Sequence, residues 1–200
     1  MPHPFRELVQ EMLDITPDAM RRISRGNGDR GRDTAQRTRD NTNDIQDHDG
    51  NVHNDVNSNN GPVREYEVGR YEDLKRREQT GDGLEHDHIP SKQALKLAAQ
   101  RKAAREGKTL SEADLRRIEN RGISIEIMRD LHVAGRTWGS KNKALADVDS
   151  QDLGAAMWRD LQAHWDNLVD KEDVDLNGVL DQFAELVRRN KEAGIDIGDV

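Results

Sequence analysis

The sequence predicts an α+β fold, mostly helical, occupying the last two-thirds of the chain and carrying two short strands. Three observations predict it. Apolar residues recur at three- to four-residue spacing in several separate stretches, the period of an amphipathic helix. Ile123, Ile125 and Ile127 alternate with Ser124, Glu126 and Met128, the period of a strand. Hydrophobic residues are only 33% of 200 and charged residues 35%, so one core cannot hold the whole chain.

From the start of the chain, residues 4–24 read as one or two short helices. Phe5, Leu8, Val9, Met12, Leu13 and Ile15 form an apolar stripe that Thr16-Pro17-Asp18 interrupts. Residues 1–25 are thus a helical leader. Residues 26–62 are poor in apolar side chains and rich in Asn, Asp, Arg and Gly. Such a tract cannot bury enough surface to offset its ordering entropy, so a flexible, disordered linker is expected.

The globular part is expected over residues 63–195. Tyr66, Val68, Tyr71 and Leu74 introduce a packed segment, and Gly81-Asp82-Gly83 is a turn signal. Leu84 to Ile89 is a short strand candidate running into Pro90. Ser91 is placed to cap a helix through Arg105, with Gly107 just past its end. Thr109 to Glu112 fits a capping box opening a second helix to about Glu119. The strand 123–128 follows, then a polar, Gly-containing stretch from Asp130 to Lys143. Two helices close the chain, about 151–169 with Trp158, Leu161, Trp165 and Leu168 on one face, and about 174–190 with Leu176, Val179, Leu180 and Phe183.

Composition excludes several chemistries. There is no cysteine, so disulfides, thiol catalysis and thiolate metal sites are ruled out. No run approaches a membrane helix, and no membrane insertion is expected. Met1 to Arg6 shows no signal peptide. The net charge of −8 hides a basic centre: residues 91–143 carry 13 basic and 6 acidic side chains, whereas 144–200 carry 5 and 14. The basic block can line a phosphate groove, and the acidic tail should stay off nucleic acid.

Two blocks carry the densest chemistry. One is Glu85-His86-Asp87-His88-Ile89-Pro90. The other runs from Asp130 through His132, Arg136, Trp138 and Lys141 to Asn142. Each ends or follows a strand candidate, so pairing of the strands can bring His88 and His132 together. A carboxylate, imidazoles, an amide and cations are the set needed for metal-assisted phosphodiester hydrolysis. A hard cation takes few protein ligands and neutralises the scissile phosphate. A neutral imidazole takes the proton from water, and Arg or Lys stabilises the anion.

Asp87-His88-Ile89-Pro90 resembles the core of the HNH, or His-Me finger (ββα-metal), endonucleases. With Gly81 to Leu84 and the block 130–139, the chain is similar to nuclease toxin domains of bacterial polymorphic toxins, carried by contact-dependent, Rhs-type or type VI systems. The resemblance covers about residues 64–190. It implies a two-stranded ββα-metal-like core with inserted and C-terminal helices, Asp87 as metal ligand and His88 as general base. His132 would be a second ligand or a phosphate contact, and Asn142 is the alternative ligand. Mg²⁺ is the expected cofactor, with Mn²⁺, Zn²⁺ and Ni²⁺ as alternatives. The implied activity is that of a DNase. DNA, a cognate immunity protein and a secretion carrier or chaperone meeting the N-terminal segment are the implied partners. Delivery by a route without a signal peptide, into the cytoplasm of a target bacterium, follows from the same likeness. The inserted helical pair 91–119 departs from compact members of the family.

Beside these roles stand plainer ones. Arg136 is expected to stabilise the anion, and Lys141, Lys143 and Trp138 to touch nucleic acid, yet Trp138 could equally anchor its loop. His86 merely flanks the site, and His164 is a packed or surface histidine. Asp47 to Gly50 is not taken as a metal site. Two other classes of function stay open: a non-enzymatic helical adaptor, and a metal-independent RNase.

Overall fold

The computed structural model describes Phe5, Val9 and residues 61–197. The expected helices over 4–24, those two positions apart, and the linker up to residue 60 lie outside the described residues. Phe5 and Val9 belong to the same compact unit as residues 62–200. Both are buried in its core. The Phe5 ring stacks on Trp165 at 5.5 Å and meets Phe183 edge-on at 6.0 Å.

The unit runs β1 (Val68–Arg70), α1 (Tyr71–Arg77), β2 (Leu84–His88), α2 (Lys92–Arg105), α3 (Glu112–Arg121), β3 (Ile123–Met128), α4 (Arg129–Ala134), α5 (Ser140–Asp149), α6 (Leu153–Leu168) and α7 (Leu176–Glu192). The α+β, mostly helical reading holds, but the sheet has three strands rather than two. Their order is β1-β3-β2, antiparallel throughout. β1 is three residues long, too short to show a period, which is why Val68 registered only as part of a packed segment.

Being central, β3 is covered on both faces. Ile123, Ile125 and Ile127 enter the main core with Leu161, Leu168, Phe183 and Leu186. Ser124 and Glu126, on the other face, are buried as well. The polar half of the alternation therefore does not mark a wet face. Buried Glu126 is matched by His86, directly opposite on β2, whose Nδ1 bonds its carboxylate.

Helix ends follow local chemistry. Ser91 Oγ accepts from the Ala94 amide at 3.3 Å, and Gly107 follows α2 with φ of 68°. The capping box of α3 sits two residues later than expected, on Ser111 and Asp114, each accepting the other's backbone N–H. The polar stretch 130–143 is a loop only over residues 135–139. It makes α4 and the start of α5, divided by Gly135 and by Gly139, whose φ is 59°. Asp152 caps α6 and Asp175 caps α7. Among the described residues no helix is long and apolar enough to cross a membrane.

Candidate active site

Strand alternation decides which of the chemical residues on β2 can meet. Side chains one apart point to opposite faces. Glu85 and Asp87 share the face that looks toward α4 and α6. His86 and His88 share the other, which looks toward α1 and α3.

On the first face four side chains form a chain of contacts. Glu85 Oε2 lies 2.7 Å from His132 Nδ1. His132 Nε2 lies 3.4 Å from Asp87 Oδ1. Asp87 Oδ2 lies 2.7 Å from His164 Nε2. α4 starts straight after β3, which is hydrogen-bonded to β2, and so swings His132 back over Glu85 and Asp87. Arg129, one turn earlier on α4, pairs with the second oxygen of Glu85. Gly135 ends α4 where a Cβ would lie 3.2 Å from His164 Cε1, a tight contact that a larger residue could make only if its neighbours shifted.

Electrostatics polarises this chain. Burial alone would raise the Asp87 carboxyl. Hydrogen bonds from His132 and His164 outweigh burial and hold it well below the usual carboxylate range. Burial likewise pulls the His132 imidazole down, but Asp87 and Glu85 overcome this and raise it above its ordinary value. Asp87 is therefore an anion, and His164 Nε2 must carry the hydrogen that it shares with Asp87. His164 Nδ1 is buried without a hydrogen-bond partner. Asp87 and His164 are almost wholly enclosed, while the His132 side chain is 18% and that of Glu85 27% exposed. The chain thus has a wet end at Glu85 and His132 and a dry end at His164.

Arg136 lies behind this chain. Its guanidinium donates to Asp160 Oδ1 at 2.5 Å and to Asp149 Oδ1 at 3.1 Å. Arg159 donates to the same Asp149 oxygen at 2.9 Å. Burial pushes the Asp160 carboxyl up to about 7 against the pull of Arg136, with Asp87 and Asp149 adding to the rise. Both Arg136 donors named here serve buried carboxylates.

His88 lies on the opposite face from Asp87. Its Nε2–H donates to the Glu119 carbonyl at 3.0 Å, and its ring lies 4.5 Å from that of Tyr71. Burial is the main cause that lowers it to about 4, so it is uncharged near neutrality. Asn142 Oδ1 accepts from Ser91 Oγ at 2.9 Å, which ties α5 to the start of α2. Lys141 Nζ donates to the carbonyls of Val133 and Gly135, closing the end of α4. Lys143 is exposed and Trp138 half-buried. Of the residues singled out in the sequence, the structure brings Asp87 and His132 together and leaves His88, Asn142 and Arg136 in other contacts.

Glu85, Arg129 and His164 were missing from the expected site. Glu85 could have been found, because it is two residues from Asp87 and so shares its face. His164 could not, since only the packing of α6 brings it to Asp87.

The resemblance implies a divalent metal, and the donor types suit a hard cation. Their arrangement does not. The carboxylates face imidazole N–H groups, and no three His, Asp or Glu side chains among the described residues group as a metal site.

No family model matches the chain, and no solved structure matches it. The chain is 35% identical over 134 residues to the deoxyribonuclease CdiA of Dickeya dadantii (strain 3937). The match takes in 66% of this chain but 4% of that much longer protein. A stretch of that size in a 200-residue chain necessarily includes its middle, and with it β2, Glu85 and Asp87.

Proposed function

We propose that this chain is a deoxyribonuclease that hydrolyses phosphodiester bonds at the Glu85–His132–Asp87 face of β2. The observation that carries the reading is the 35% identity to a deoxyribonuclease across the middle of the chain. The geometry supports it with a polarised acid–base chain open to solvent at one end. His132, held as an imidazolium between two carboxylates, is the proton donor to the departing oxygen. Glu85, at the wet end, is placed to take a proton from the attacking water. Arg129 sets a cation beside both, where a phosphate needs one. Asp87 orients His132, and His164 fixes Asp87.

The interbacterial role follows from the sequence resemblance joined to the same relative. In this reading the domain is a toxin delivered into a target cell by a larger carrier and neutralised there by an immunity protein. A metal-independent ribonuclease is the second reading, favoured by carboxylates that face imidazoles instead of an open coordination point.

The test is cleavage of supercoiled plasmid by the purified chain in Mg²⁺ or Mn²⁺, with EDTA, His132→Ala, Asp87→Asn and RNA as parallel lanes. Nicking that disappears with either variant supports the reading, and the EDTA lane reads metal dependence directly. Intact plasmid with degraded RNA selects the ribonuclease. Neither substrate cleaved by folded protein overturns both.

A further inference from the structure

A second feature lies away from the Glu85–His132 mouth. A groove of about 1270 Å³ runs between α2 and α3 toward the start of α6. Leu95, Ala98, Ala99 and Ile118 supply apolar side chains along it. Arg101, Lys102 and Arg105 line it from α2, and Arg117 and Arg121 from α3. Arg101 is anchored to Asp147 at 2.5 Å, and Arg117 to Asp114 at 3.1 Å. Lys102, Arg105 and Arg121 are exposed, and none has a carboxylate within 4.0 Å among the described residues. Exposed cations without a carboxylate within 4.0 Å among the described residues also include Arg70, Arg116, Lys143 and Lys191, so it is the grouping of Lys102, Arg105 and Arg121 that is informative. These three share one groove, on both of its helices. Two acids also line the groove: Asp152, engaged as the cap of α6, and Asp196, near the end of the described residues.

We infer that this groove is an exosite for the phosphate backbone of nucleic acid, separate from the hydrolytic cluster. The inference rests on the nuclease reading for its choice of ligand. Paired rows of cations over a floor of small apolar side chains suit a polyanion with a flat, uncharged interior. The inner end of the groove, Gly122 and Ile123, abuts His88, where a Cβ on Gly122 would fall 2.9 Å from the ring. Glu85 is three residues from His88 along β2, about 10 Å at the rise of a strand. Alternation turns Glu85 to the opposite face of β2 from His88, so the groove is a grip on the substrate separate from the cluster.

The experiment measures binding of a fluorescent 20-base-pair DNA duplex against salt, in EDTA and in a His132→Ala background so that the DNA survives. It compares that chain with one also carrying Lys102→Ala, Arg105→Ala and Arg121→Ala. Each phosphate contact contributes about 0.9 to the slope of log affinity against log salt. Losing three should lower the slope by about 2.7. Between about 50 and 200 mM salt the parent should therefore lose about 40-fold more affinity than the variant. A charge-keeping set, Lys102→Arg with Arg105→Lys and Arg121→Lys, should restore the slope, which separates phosphate binding from a folding defect. With His132 intact, the alanine set should hydrolyse bis(p-nitrophenyl) phosphate at the parent rate.

Unchanged slope and affinity in a folded alanine set would overturn the exosite. So would unchanged DNA binding with lost binding to polyglutamate, which would make the groove a site for an acidic protein. A lowered slope supports the exosite even if the His132-intact protein cleaves no DNA. In that case the hydrolytic reading falls and the groove stands.

Discussion

Asp87 Oδ2 and His164 Nε2 lie 2.7 Å apart, although 77 residues separate them. The contact is buried, and it anchors the second oxygen of a carboxylate whose first oxygen faces His132. Asp87 can thus act as a fixed anion that sets the position and charge of His132, the more exposed of its two imidazole neighbours.

Asp87→Asn tests this directly. The amide keeps the shape and removes the charge. The His132 imidazole, raised by Asp87 and Glu85, should shift downward in a histidine NMR titration. DNA cleavage should fall by about 100-fold or more, the range of a lost acid–base contribution. An unmoved His132 titration would break the proposed coupling.

The pH dependence of His132 has a definite sign. Its folded value is raised, so the imidazolium and its ion pairs are fully present below the unfolded value of about 6.5. They are lost as pH rises through the folded value. If the imidazolium is the proton donor, kcat/KM should fall on the alkaline side of that value. His132→Gln should remove that limb along with most of the rate.

His88 separates the expectation from sequence and the placement in the fold. Its folded value is lowered to about 4, so the unfolded chain takes up a proton before the native one does. Stability from this group is therefore present above about pH 6.5 and lost as pH falls toward 4, by about 3 kcal/mol. Wild-type protein should lose stability across that window, and His88→Gln should lose less. The Gln variant should still cut DNA. Cleavage abolished in a stably folded His88→Gln protein would return His88 to the role of base.

Gly135→Ala probes the fit of α4 on α6. The added methyl would lie 3.0 Å from the His132 carbonyl oxygen and 3.2 Å from His164 Cε1. The backbone φ of −55° suits alanine, so the cost is steric, about 1–3 kcal/mol. Activity should drop beyond the stability loss, because the displaced atoms belong to the acid–base chain. Thermal unfolding and plasmid nicking on the same preparation check both.

Phe5→Ala tests whether the leader is part of the folded unit. Phe5 is 3% exposed, against Trp165 and Phe183. Removing a buried aromatic of this kind costs about 3–5 kcal/mol. A loss below about 0.5 kcal/mol in denaturant titration would show that this contact contributes nothing in solution.

Much of the fold was legible because it depends on local rules. The amphipathic stripes of α6 and α7, the Ser91 cap and Gly107 end of α2, and the isoleucine alternation of β3 are all written at short range. Short range also separates two of the candidate residues. His88 and Asp87 are adjacent on a strand, so alternation alone sends them to opposite faces, and Glu85 is the residue that shares a face with Asp87. Polar sequence misled at 130–143, where helical hydrogen bonds and the closing lysine Lys141 stabilise α4 despite few apolar side chains.

Short-range pattern was enough for the helical α+β class, the strand at 123–128 and the absence of thiol chemistry, and it drew attention to Asp87 and His132 as candidates. Long-range packing settled the other features. Burial on both faces of β3 made Glu126, in the polar half of the alternation, the partner of His86. Packing of α6 on β2 brought His164 to Asp87. The turn of α4 placed His132 between two carboxylates, while Asp149 and Asp160 took up Arg136. These outcomes depend on which faces meet across the core. A side chain's charge and partners are set by neighbours far away in sequence, and no local pattern encodes them.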